Sequence, residues 1–254
     1  LLDALGLVHN REGMAAVAER VPLAACEQAA RQPGGATALL LGAGGFLPLS
    51  PAHAALADLD GDTATAIERR FELAASRFDV SPVPATIWSL NRVRPVNHPV
   101  RRLASLGALI DSSSADGLLG TTLALPLDAG RSWQGWLESV RPAIGRSRSR
   151  QIAVNALAPF LAAYADATGD VRLADEIGQL WETLAGVVDD SVAKATLRQI
   201  VGERRFPIRL AIESQGLHQI GRHGCRQLRC FECPIAALAV MHEAEHAPAG
   251  TELG

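Results

Sequence analysis

The chain reads as all-α: a multi-helix bundle, divisible into two helical subdomains, with a Cys-rich metal knuckle near its C-terminus. Three observations predict this. Apolar residues recur at three- and four-residue spacing in segment after segment, the period of a helix face. Alternating patterns that would mark strands are scarce. Residues that cap or open helices precede the periodic stretches. The expected division is residues 1–110 as an N-terminal helical subdomain, 111–131 as a loop or boundary, and 132–254 as a C-terminal helical subdomain with a cysteine cluster at 225–233.

The elements follow in order. Met14 to Val21 carries helical periodicity, and Asn10 can cap a helix beginning at Arg11. Gln32 to Ala57 is the longest run without Asp, Glu, Lys or Arg, but Pro33, Gly34, Gly35, Gly42, Gly44, Gly45, Pro48 and Pro51 break it too often for one membrane-spanning helix. Gly42-Ala-Gly44-Gly45 within it has no preceding strand and does not complete a nucleotide-binding fingerprint. Ser50 before Pro51 opens a helix. Asp58-Leu-Asp60-Gly-Asp62 starts like a calcium loop, yet its sixth position is Thr63 and its twelfth is Arg69, so it reads as a helix-breaking turn.

Ala66 to Phe78 and Val100 to Ile110 are helical, the latter opened by Asn97 or His98 before Pro99. Asp111 to Arg131, rich in Ser, Gly and Pro, is the expected loop. Ile152 to Tyr164 follows, where Pro159 cannot donate to the Asn155 carbonyl and predicts a kink, with Asn155 expected to be a buried packing element. Leu173 to Leu184, a segment from Asp189 or Asp190 through Ile200, and Ile208 to Ile220 complete the series.

With 254 residues, 48% hydrophobic and 20% charged, the chain can bury a sizeable core. Its net charge is −3, unevenly spread: residues 1–91 hold 6 basic and 10 acidic side chains, 92–150 hold 9 and 4, and 151–254 hold 9 and 13. The middle is therefore +5. Lys194 is the sole lysine, a bias that a GC-rich genome explains as readily as selection for guanidinium contacts. The chain begins Leu-Leu-Asp, which reads as a fragment or processed product, and the expected location is the cytoplasm with no membrane partner.

Several segments together carry a resemblance: Asn10 after Ala4-Leu-Gly; Arg92-Val-Arg-Pro-Val-Asn-His-Pro-Val-Arg-Arg-Leu-Ala104; Gly145 with Asn155-Ala-Leu-Ala-Pro-Phe-Leu-Ala-Ala-Tyr164 and Gly169-Asp170; Ser214-Gln-Gly-Leu217; and the C-x4-C-x2-C ending. They resemble the bacterial domain-of-unknown-function family number 2851, through Pro234. Members of that family are longer at the N-terminus, where GPDF and GDVEIH-like patterns look reminiscent of a nuclease core; neither pattern occurs here. The resemblance implies a helical C-terminal portion whose partner is the N-terminal domain of the same protein.

Cys225, Cys230 and Cys233 are spaced to meet on one cation. A structural zinc would need a fourth ligand, for which His223 in the same loop is preferred over His218, His242 and His246. Such a site would contribute on the order of 10 kcal/mol to folding. An iron–sulfur cluster would have to recruit distant Cys26. A disulfide or free thiols are the other possibilities.

Around Pro95 and Pro99, the residues Arg92, Arg94, Asn97 and Arg102 come near a helix N-terminus and form a candidate phosphate site, with Arg146, Arg148 and Arg150 adding basic surface for DNA or RNA. The competing reading pairs these arginines with the acidic N-terminal third, has them bridge helices, and leaves Asn97 as a cap. His242-Glu243-Ala-Glu-His246 matches H-E-x-x-H and offers a zinc metallohydrolase as the alternative, although little chain follows it. The functional expectation is a module supporting nucleic-acid binding or processing, with a structural interaction module as a further alternative and no convincing catalytic centre.

Overall fold

The computed structural model describes residues 1–113, 115–128, 130–186, 190–202, 204 and 206–246, with the side chains of 6–8 and 242–246 outside that description. Among the described residues the secondary structure is helical, apart from an isolated antiparallel bridge between Ala185 and Leu210. None of these helices is long and apolar enough to cross a membrane. The chain divides into two compact units, Leu1–Leu180 and Trp181–Gly254.

The first unit is built around α3 (Gly35–Ala43), whose sequence GATALLLGA has no charged residue and whose nine residues are all buried. A helix apolar on every side must be wrapped by others. Here α1 (Leu2–Arg20), α2 (Leu23–Ala29), α5 (Gly61–Phe78) and α6 (Pro99–Asp111) pack against it. The approach of α6 is set by Gly107, where a Cβ would fall 2.4 Å from the Thr37 Cα. One turn further along α6 the Asp111 carboxylate accepts hydrogen bonds from the Ala36 and Thr37 amides and from the Thr37 hydroxyl. It thereby does for α3 what an N-cap side chain would do, since the local N-cap is Gly34.

Shorter helices complete the unit: α4 (Pro51–Leu56), α7 (Gly117–Ala124), α8 (Arg131–Ser139), α9 (Arg146–Ile152), α10 (Ala158–Thr168) and α11 (Val171–Thr183). Ser50 caps α4 by accepting from the His53 amide. Asp58 takes a positive φ of 58° and Asp60 caps α5 through Thr63, so the acidic string is the expected turn. The expected loop at 111–131 contains α7, anchored by Glu27, which accepts from the Leu118 amide.

Asn10 is not a cap. It lies inside α1, which starts at Leu2, and its side chain is buried. Asn155 is exposed rather than buried. It sits in a π-turn, Ala153–Leu157, where the Ala158 amide reaches back to the Ala153 carbonyl. The helix widens by one residue just before Pro159, which has no N–H to offer.

In the second unit α12 (Ser191–Val201) and α13 (Ala211–His223) pack together, with Gly221 against Thr196, where a Cβ would meet the Thr196 hydroxyl oxygen at 2.4 Å. Asp190 caps α12 through the Ala193 amide, and its other oxygen lies 2.7 Å from His218 Nε2. Two 3-10 turns, Cys225–Gln227 and Cys230–Glu232, lead into α14 (Pro234–His246).

Candidate phosphate-binding pocket

The segment 81–98, between α5 and α6, is irregular, so side chains from the surrounding helices fix its path. Trp88 is buried and donates from its indole N–H to the Gly44 carbonyl at 2.8 Å. Its ring lies against Phe46, with centroids 5.2 Å apart, and directly over Gly13 of α1, where a Cβ would come within 2.5 Å. One turn earlier on α1, the Asn10 amide grips the next residue from both sides. Its Oδ1 accepts from the Ser89 amide at 2.8 Å and its Nδ2 donates to the Ser89 carbonyl at 3.1 Å. A buried side-chain amide satisfied in this way copies the pairing of a strand and holds an otherwise unpaired backbone.

Beyond this clamp the chain turns through Arg92, which has a positive φ of 57°. Arg94 and His98, each preceding a proline, are extended, as the ring of a following proline requires. Between them Pro95–Asn97 closes a 3-10 turn, with the Asn97 amide donating to the Arg94 carbonyl at 2.8 Å. The result is a pocket of about 340 Å³ lined by His9, Asn10, Ser89, Asn91, Arg92, Val93, Arg94 and Asn97. Among the described residues no carboxylate lines it.

Beneath Asn97 lies Arg102, only 5% exposed. Its guanidinium donates to Asn97 Oδ1 at 2.9 Å, while its Nε has no hydrogen-bond partner. Burial, and then the nearby Arg148 and Arg101 cations, lower the Arg102 pKa to about 10. Arg148 is also lowered by burial and donates to the Ala4 carbonyl at 3.2 Å, and Arg101 donates to the Ala143 carbonyl at 3.3 Å. Among the described residues none of Arg92, Arg94, Arg101, Arg102, Arg146, Arg148 and Arg150 forms an ion pair with Asp or Glu. Ion pairs with the acidic N-terminal third are thus not among these contacts, whereas bridging between helices is, since Arg148 of α9 reaches the Ala4 carbonyl of α1.

Of the predicted site residues, Arg92, Arg94 and Asn97 share the pocket. Arg102 supports it through Asn97, and Arg148 stands behind Arg102 without lining it. Asn97 does not cap α6. His98 does, its Nδ1 accepting from the Val100 amide at 3.3 Å, so this N–H of the expected helix-terminal anion site is already taken. The sequence did not assign His9, Asn10, Ser89 and Asn91 to the site. Their signal was the Asn10 position alone, because pairing with Ser89 spans 79 residues.

The cysteine segment differs. Cys225 and Cys233 are half-buried, Cys230 is exposed, and none of the three is in a disulfide. Among the described residues no three His, Cys, Asp or Glu side chains gather as a metal site, and His223, which ends α13, joins no such group. The side chains of His242, Glu243 and His246 lie outside the described residues, so the hydrolase motif has only its placement on α14.

Residues 1–123 match the family model described as "Protein of unknown function (DUF2851)". No curated protein and no solved structure matches the chain.

Proposed function

We propose, for a chain whose residues 1–123 belong to this family, that it is a helical module binding nucleic acid through phosphate contacts at the Arg92–Asn97 pocket. The observation that carries this is a set of arginines with no carboxylate partner among the described residues, Arg92 and Arg94 lining one pocket and Arg102 joined to it through Asn97. A cation as buried as Arg102 is costly unless something compensates it. Here the protein supplies one amide oxygen from Asn97 and leaves Nε bare. A phosphate held in the pocket would bring negative charge towards this cation through Asn97, and the forks of Arg92 and Arg94 match its oxygens. The +5 balance of residues 92–150 favours the same ligand although the whole chain is −3.

Salt-dependent affinity for single-stranded and duplex DNA and RNA tests this reading. Because Arg92 has a positive φ, Arg92→Gly removes its guanidinium without backbone strain. Combined with Arg94→Ala it is expected to weaken binding and to reduce the slope of log K against log salt by about 1 to 2. Unchanged affinity in the double variant refutes the site, and no binding by the unaltered chain leaves the structural interaction module.

A second reading concerns the C-terminal segment. We propose a structural zinc on Cys225, Cys230, Cys233 and His223, with an iron–sulfur cluster as the lesser choice. It is supported by the spacing and by the lack of any buried residue in either 3-10 turn, with Phe231 in the second turn and Leu228 between the two both exposed. Apolar packing is thus absent where a metal would supply the restraint.

A further inference from the structure

We infer that the pocket is specific for a terminal phosphomonoester, the phosphorylated end of a nucleic-acid strand, over internal phosphodiesters. This rests on the phosphate reading above and adds the class of phosphate.

The first ground is the convergence of donors. Arg92 and Arg94 stand two residues apart and line one pocket, because the left-handed turn at Arg92 and the extended Arg94 before Pro95 reverse the chain around it. Two arginines lining one pocket offer more donors than an internal diester can use, since it presents two free oxygens and carries a single charge. A terminal monoester presents three and carries close to two charges at neutral pH.

Asn97 supplies the second ground. Its Oδ1 is committed to the buried Arg102, which fixes the amide orientation, so Nδ2 is the group left for a ligand. The side chain that could have offered the pocket an acceptor is thereby made a donor. A residue 95% buried in cationic form thus sets the polarity of the site it supports.

Shape is the third ground. At about 340 Å³ the pocket is of small-ligand size. The Asn10–Ser89 clamp forms part of its wall, and both ends of that clamp are spent on each other. An end group can enter such a site with its single ester bond leading out, whereas an internal phosphate must lead the strand out in two directions.

Fluorescence anisotropy on the full chain decides the matter with one oligothymidylate in 5′-phosphorylated, 3′-phosphorylated and hydroxyl-ended forms, with inorganic phosphate as competitor. One phosphorylated form is expected to bind about tenfold tighter than the hydroxyl-ended form, as one added charge-assisted bond implies, and which form it is identifies the end recognised. Arg92→Gly and, separately, Arg94→Ala are expected to abolish that preference, and inorganic phosphate to compete for it. Equal affinity for all forms, lowered by both substitutions, overturns the end specificity while leaving phosphate-backbone binding intact. Absence of binding to any form overturns both. A preference that survives both substitutions places the recognition elsewhere and also overturns the assignment.

Discussion

Asp111 and Thr37 join the two most closely packed helices of the first unit: the Asp111 carboxylate, at the end of α6, accepts from both the amide and the hydroxyl of Thr37, at the start of α3. The position is unfavourable for a carboxylate within its own helix, where C-terminal carbonyls repel it, and favourable at the N-terminus of α3. Burial pushes the Asp111 pKa up, while bonds from Ala36 and Thr37 oppose the rise.

Asp111→Ala is expected to destabilise the protein by about 2 to 3 kcal/mol, because it strips the acceptor from amides at a buried helix start. Asp111→Asn, which keeps one acceptor oxygen, should recover part of that loss. Denaturant midpoints of the three proteins measure it, and equal midpoints would show that the helix start needs no acceptor from α6.

Asn10→Ala removes both bonds to Ser89 and leaves that backbone unpaired against α1, at an expected cost of about 1 to 3 kcal/mol. The sharper readout is local. Hydrogen exchange at the Ser89 amide should accelerate well beyond that of amides in α3, and phosphate affinity should fall with it as the Arg92–Arg94 turn loosens. An unaltered Ser89 exchange rate would mean that another contact holds this segment.

His98 makes stability depend on pH. Burial, and then the neighbouring His53 of α4, lower its pKa below the usual 6.5, and its Nδ1 must be unprotonated to cap α6. The imidazole rings of His53 and His98 lie 5.6 Å apart, and Phe46 packs against both. In the unfolded chain the proton binds near pH 6.5, while the folded state resists it. Stability is therefore complete above that pH and is lost as pH falls from there towards the lowered folded value. Between about pH 7.5 and about pH 5.5 the denaturant midpoint should drop, and His98→Asn, a capping residue that does not titrate, should reduce the drop. Identical profiles would remove His98 as the cause.

Metal analysis addresses the cysteines. About one equivalent of zinc in the purified chain, lost in Cys230→Ser, is expected for a thiolate knuckle, and a brown chromophore that bleaches on reduction for an iron–sulfur cluster. Metal-free protein with an undisturbed melting curve would leave Cys225, Cys230 and Cys233 as free thiols.

What the amino-acid string determined by itself was whatever depends on near neighbours. Helical periodicity located α5, α11 and α13, because each has one wet and one buried side and the contrast appears as a repeat, and it located α6, none of whose residues is exposed, because Arg101, Arg102 and Asp111 interrupt its apolar residues. The starts at Ser50, His98 and Asp190 were legible because a cap acts on amides two or three residues ahead. Arg92, Arg94 and Asn97 were found together because one short motif contains them. Only the tertiary structure decided the rest. α3 left no repeat because it is buried on every side, and a helix without a wet face has no contrast to display. Asn10 could not be told from a cap until a partner 79 residues away was folded against it. The pairing of the arginines was likewise a matter of which carboxylates came within reach. Such long-range contacts depend on how the helices pack, and local spacing carries no record of that.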